Sequence, residues 1–216
     1  DYGFVYRRIR EGMSETDPMW TVGRCCLWPN MLFTGNHFEW RVPVDDENTF
    51  SVTWSFERVP REREPYVQQR IPAWKGPVRD PETGRWISSH IMNQDFIAWV
   101  GQGRIADRTL EHLGPSDKGI LMQRARFLSD IAGIAEGKDP KATVRDSEAN
   151  RCIKLPVAER QRLTVGLSRE ELLRHPVASR QLTDYIFQLG QPTEVRSAFL
   201  DAMGFREEEL ASAGLR

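Results

Sequence analysis

Phe50, Val52, Trp54 and Phe56 alternate with Ser51, Thr53, Ser55 and Glu57. Successive side chains of a strand point to opposite faces, so this segment predicts a strand with one apolar and one polar face. Phe38, Trp40 and Val42 repeat the pattern upstream, and the turn-forming stretch 43–49 (PVDDENT) between them predicts a hairpin. Residues 2–8 and 20–27 are further strand candidates. From 58 to 86 the pattern stops: prolines at 60, 65, 72, 77 and 81 and a cluster of charges predict a long extended loop.

Helical spacing takes over afterwards. Residues 93–102 predict a short helix with Asn93 as N-cap and Gly101 and Gly103 at its end. Ser116 is the expected cap of a long helix running to Gly137, with Gly137 and Pro140 as its stop. Ile120, Phe127, Leu128, Ile131 and Ile134 share one face of it, a stripe expected to lie against the sheet. In the tail, Ser168 with Glu171 predicts a capping box before Leu172 and Leu173, closed by Pro176. A second tail helix is expected over 177–189, and a third, capped by Thr193, up to Gly204. Strands first and one long helix afterwards is an α+β order, not an alternating βαβ one. The expected division is 1–154 as the main domain and 155–216 as a helical C-terminal appendage.

Composition narrows the function classes. The 216 residues carry 30 Lys and Arg against 31 Asp and Glu, a net charge of −1, which argues against a nucleic-acid binder working through bulk charge. No apolar run approaches the ~20 residues of a membrane helix, and the sparse cysteines point to a cytoplasmic chain. Cys25 and Cys26 are adjacent and Cys152 is remote, with no CxxC and no Cys-x-His pair, so neither a zinc ribbon nor an iron–sulfur cluster is expected within the chain. No GxSxG elbow, Walker loop or GxGxxG occurs.

The most informative residues surround Asp95. On a helix, Asp95, Trp99 and Gln102 lie at i, i+4 and i+7. A carboxylate beside a Trp is expected to be partly desolvated and to need a metal, a cation or a hydrogen bond; in a first helical turn it would instead simply complement the helix dipole. His90 and His112 flank it in sequence, while His37 and His175 are isolated. A two-His, one-carboxylate iron site needs its ligands on one face, and no H-x3-H, H-x4-H or HExxH pair is present.

The run NQDFIAWVGQGRIADRTLEHLGPSDKGI over 93–120 resembles the catalytic domain of Rieske-type non-haem iron oxygenases, in the phthalate dioxygenase and aromatic O-demethylase branch. That branch carries a QDxxxWxxQGxxxDRxxEHLGxxDxG run before its long C-terminal helix. DYGF at 1–4, RVPVDDENT at 41–49 and EGKDP at 136–140 with Arg145 and Asp146 agree with it; Val100 departs, because relatives often carry an acid there. The resemblance implies a helix-grip (START/Bet v 1-like) fold, an antiparallel sheet with a long C-terminal helix. It implies Asp95 as the carboxylate ligand of a mononuclear Fe(II), with the two His ligands and the Rieske [2Fe–2S] cluster expected ahead of residue 1. Trp40, Trp54, Phe56 and Trp99 are the expected substrate-pocket residues. The implied activity is hydroxylation or O-demethylation of an aromatic substrate with O₂, which share one iron site and are not separated by sequence. The implied partners are a reductase or ferredoxin and two further copies in a homotrimer. The alternative is a helix-grip pocket that binds a small molecule without redox chemistry.

Overall fold

The computed structural model describes residues 2–35, 37–158, 166–175, 179, 182 and 190–213. They group into two compact units, one from 1–56 with 107–160, the other from 57–106 with 161–216. The tail helix expected over 177–189 and its neighbour Pro176 lie outside the described residues, apart from positions 179 and 182.

The first unit holds an antiparallel sheet in the order β1 (Gly3–Tyr6), β2 (Arg24–Leu27), β3 (Met31–Phe33), β4 (His37–Pro43) and β5 (Thr49–Ser55). The expected hairpin is β4–β5, with Phe38 opposite Trp54 and Val42 opposite Phe50. Its turn is built by Asp45, whose Oδ1 accepts from the backbone N–H groups of Glu47 and Asn48 at 2.9 and 2.7 Å. The candidate strand over 20–27 begins late. Asp17 caps a short helix, α1 (Pro18–Thr21), by accepting from the Met19 N–H, and the proline at its first position supplies a pre-set φ.

The long helix is α3 (Lys118–Ala135), preceded by α2 (Ile91–Val100) of the second unit. Ser116 does not cap α3. It lies inside a 3₁₀ turn, Pro115–Asp117, held by Asp117 accepting from the Gly114 N–H at 2.8 Å. Gly137, at φ +78°, ends the helix as expected, since only glycine enters that region without a Cβ penalty.

The α3 stripe does not lie against the sheet along its length. Gly119 meets the ring of Phe4, close enough that a Cβ would sit 3.2 Å from it, and Phe127 meets Trp28 edge-on at 6.1 Å. Beyond these contacts Leu128, Ile131 and Ile134 are exposed. The physical reason is reach: α3 meets Phe4 and Trp28 through its first turns, while its last turns meet the chain that follows it, at Lys138 and Lys141. Sheet order and long helix together make an α+β architecture of the helix-grip kind.

Helices α4 (Arg169–Arg174), α5 (Thr193–Met203) and α6 (Glu207–Ser212) of the second unit carry its core. Leu172, Leu200, Met203, Phe205 and Leu210 are buried together, with Val59 of the proline-rich segment against them. Arg63 of that segment donates to the Ala202 and Asp201 carbonyls in the last turn of α5. Thr193 is the first residue of α5 rather than its cap, which falls on Pro192, while Gly204 ends it in the left-handed region.

The expected capping box is present. Ser168 Oγ accepts from the Glu171 N–H at 3.2 Å and Glu171 Oε2 from the Ser168 N–H at 2.6 Å. Ser168→Ala is expected to cost about 1 kcal/mol. The readout is a lower denaturant midpoint at unchanged slope; an unmoved midpoint would show the box to be idle.

Candidate functional site

Helix α2 begins earlier than its sequence suggests, with His90 at the N-cap and Asn93 inside it. Asn93 is buried because its Nδ2 donates to the Pro77 carbonyl at 3.0 Å, and Gln94 Nε2 donates to Ser88 O at 2.9 Å. Those two bonds, with buried Ile87, fix the helix against the loop before it. Asp95 therefore falls in the second turn, where it does little for the helix dipole.

Asp95 is exposed, and its carboxylate accepts no hydrogen bond from any described residue. Trp99, one turn on, is 45% exposed and meets Phe96 edge-on at 5.5 Å. The expected desolvation of Asp95 is thus not found, since the face carrying it points away from the Asn93 anchor. Gln102 lies past the helix end and reaches back to the Ala98 carbonyl at 3.4 Å. Among the described residues no three His, Cys, Asp or Glu side chains converge as a metal site. Asp95 has the free oxygen lone pairs that an iron ligand needs, but one carboxylate does not hold an iron ion.

The rest of the motif run has structural work. Asp107 accepts from the Thr109 N–H and hydroxyl at 2.9 and 2.7 Å. Glu111 receives Arg124 of α3 through both oxygens, at 2.6 and 2.7 Å, and Arg108 at 2.7 Å. Hydrogen bonds from Arg124 and then Arg108 hold the Glu111 carboxyl down at about 2. His112 beside it is exposed. Asp139 pairs with Arg145, tying the segment after α3 to itself.

Of the remaining expected site residues, Trp40, Trp54 and Phe56 belong to the first unit. Trp40 and Trp54 point to the same face of the sheet, with Phe56 packed near Phe33 and Phe38 at 6.4 and 6.1 Å. Trp99 belongs to the other unit. One row runs across all five strands on the opposite face: Phe4, Cys26, Leu32, Glu39 and Thr53 pair in register. Because Phe4 meets Gly119 of α3, this row lies on the α3 side of the sheet.

That row exposes a cluster the sequence reading passed over. Glu39 is 6% exposed, with His37 Nε2 at 2.6 Å from its Oε1 and the Arg41 guanidinium on its other oxygen. Arg41 also donates to Ser51 Oγ at 2.8 Å, and the Thr34 hydroxyl lies 3.0 Å from His37 Nδ1. Burial pushes the Glu39 carboxyl up. The His37 hydrogen bond and the charges of Arg41 and His37 outweigh this and hold it below its ordinary value. The available signal was the two-residue spacing of His37, Glu39 and Arg41, three polar groups on one strand face.

The chain is 53% identical over 208 residues to the 5,5'-dehydrodivanillate O-demethylase oxygenase subunit of Sphingobium sp. (strain NBRC 103272 / SYK-6), a match covering 96% of this chain and 48% of that protein. It is 29% identical over 121 residues to the phenoxybenzoate dioxygenase subunit alpha of Ectopseudomonas oleovorans, covering 56% of this chain and 28% of that one. The chain thus spans about half the length of the first of these relatives and less of the second. No family model matches it, and no solved structure does. Among the described residues no helix is long and apolar enough to cross a membrane. The Asp95 run, the sheet and long helix, and these two relatives agree with one another: the chain is similar to oxygenase subunits of an aromatic O-demethylase and of a dioxygenase, which is consistent with the Rieske-type oxygenase family.

Proposed function

We propose that this chain is the C-terminal part of the catalytic domain of an oxygenase component that acts on an aromatic substrate with O₂. The 53% identity carried across nearly the whole chain supports that reading, and the O-demethylase name of that relative favours loss of a methyl group from a methoxylated ring over ring dihydroxylation. Asp95 is proposed as the carboxylate ligand of a mononuclear iron; its exposed, unpaired oxygens suit that role. Its partner ligands are the two histidines expected ahead of residue 1. When bound, the iron supplies the oxygen chemistry, with electrons from a Rieske [2Fe–2S] cluster fed by a reductase or ferredoxin. The homotrimer and the cytoplasmic setting belong to the same proposal.

The test is an assay of the intact protein with an electron-donating reductase and a methoxylated aromatic acid. The expected result is O₂ uptake with release of one formaldehyde per substrate turned over. A dihydroxylated product without formaldehyde would move the assignment to ring dioxygenation, and saturable binding without any O₂ uptake would reject the oxygenase reading.

A further inference from the structure

Within the first unit, the buried side-chain atoms without a hydrogen-bond partner are all donors: Arg8 Nε, Arg24 Nε and Nη2, Trp28 Nε1 and Arg126 Nε, among the described residues. Arg126 already binds Asp130, and Trp28 lies four residues along from Arg24, roughly 13 Å at strand spacing. Arg24 is the unusual one. It is 6% exposed, and no described residue forms an ion pair or hydrogen bond with it. It opens β2 opposite Tyr6, two residues before Cys26, so its side chain shares the α3 face of the sheet.

Arg8 is the second cation of the pair. Its backbone N–H donates to the Met19 carbonyl at 3.2 Å, which fixes the chain just past β1. Burial lowers its pKa first, the positive charge of Arg24 next and that of Arg10 after it, with Tyr6 opposing. No carboxylate figures among those influences. A guanidinium does not shed its proton to escape burial, so a buried, unpaired one calls for an anion. The geometry also says which kind. Nε and Nη2 form the edge of the guanidinium that takes two oxygens side-on, and both are vacant on Arg24.

We propose that Arg24, assisted by Arg8, is a binding site for a carboxylate. The carboxylate comes either from a small aromatic acid or from an acidic side chain elsewhere in the polypeptide, and the two sources are separable. The site does not involve Asp95, and its test needs no turnover.

The intact protein is titrated with benzoate, and with benzamide as the neutral isostere, by calorimetry and by thermal melting. If the ligand is a free acid, benzoate binds saturably and raises Tm while benzamide does neither; Arg24→Gln weakens benzoate ~10-fold or more, and Arg8→Gln weakens it less. If the polypeptide supplies the carboxylate, benzoate has no effect, Arg24→Gln lowers Tm, and Arg24→Lys recovers part of the loss. Either pattern supports the site. Should Arg24→Gln fail to fold, Arg8→Gln carries both readouts. Benzoate binding and Tm that neither substitution changes would overturn the proposal.

Discussion

Asp95→Ala in the intact enzyme is expected to strip the proposed mononuclear iron and lower turnover by ~100-fold or more, a loss at least as large as those expected when the supporting shell of a metal site is altered. Stability is expected to stay within about 0.5 kcal/mol of the wild type. That second expectation follows from the structure: Asp95 is exposed, bonds to no described residue, and sits in a second helical turn that alanine suits well. The anchors of α2 are Asn93 and Gln94, whose bonds to Pro77 and Ser88 do not pass through Asp95. Metal content by elemental analysis and a circular-dichroism melt separate the two effects. Full iron occupancy with normal turnover in this variant would remove Asp95 from the site. A large fall in Tm would instead give it a structural role that its surroundings do not show.

Much of the fold could be read because its elements are long enough to show a period. Seven residues on each side of a turn make the β4–β5 alternation unmistakable. The capping box at Ser168 is a local code and was equally legible. Strand β3, only Met31–Phe33, is too short to display a period at all. Helix starts misled for a different reason. Asn93 and Ser116 are good caps by residue type, but Asn93 is taken by the Pro77 carbonyl, and Ser116 gives way to a 3₁₀ turn closed by Asp117. The Pro77 carbonyl is a partner 16 residues away, which a local pattern does not contain, whereas Asp117 competes with Ser116 inside a single turn.

The candidate site divides in the same way. Asp95 was legible from a motif resemblance, not from its physical setting, since an exposed Asp on a helix carries little signal of its own. The polar face of β4 was legible in spacing, but its burial was not. Alternation with Phe38, Trp40 and Val42 suggests that the apolar side is inside and the polar side wet. In the structure Glu39 is the buried residue of that strand, while Phe50 and Trp54 are about half exposed. Burying a carboxylate is tolerable only with its partners in place, and those lie two residues to either side on the same strand.

Glu39→Gln is expected to destabilise the protein by about 3 kcal/mol, near the low end for removing one member of a buried ion pair because Arg41 retains some contact with water. For a chain of this size that corresponds to a fall of roughly 6–12 °C in Tm. The loss comes less from the missing attraction than from the Arg41 charge left without its carboxylate beside His37. Replacing Glu39 and Arg41 together by leucine removes both charges, and should therefore recover much of the stability that Glu39→Gln loses. The pH dependence carries the same sign. The folded Glu39 pKa is held below its unfolded value of ~4.3, so its stabilisation is complete above that value and disappears as pH falls through the lower, folded one. Wild-type Tm should accordingly drop more steeply below about pH 4 than that of Glu39→Gln, which has no carboxyl to protonate there. Parallel acid limbs for the two proteins, or a neutral-pH Tm unchanged by the substitution, would mean that the His37–Glu39–Arg41 cluster does not stabilise the sheet.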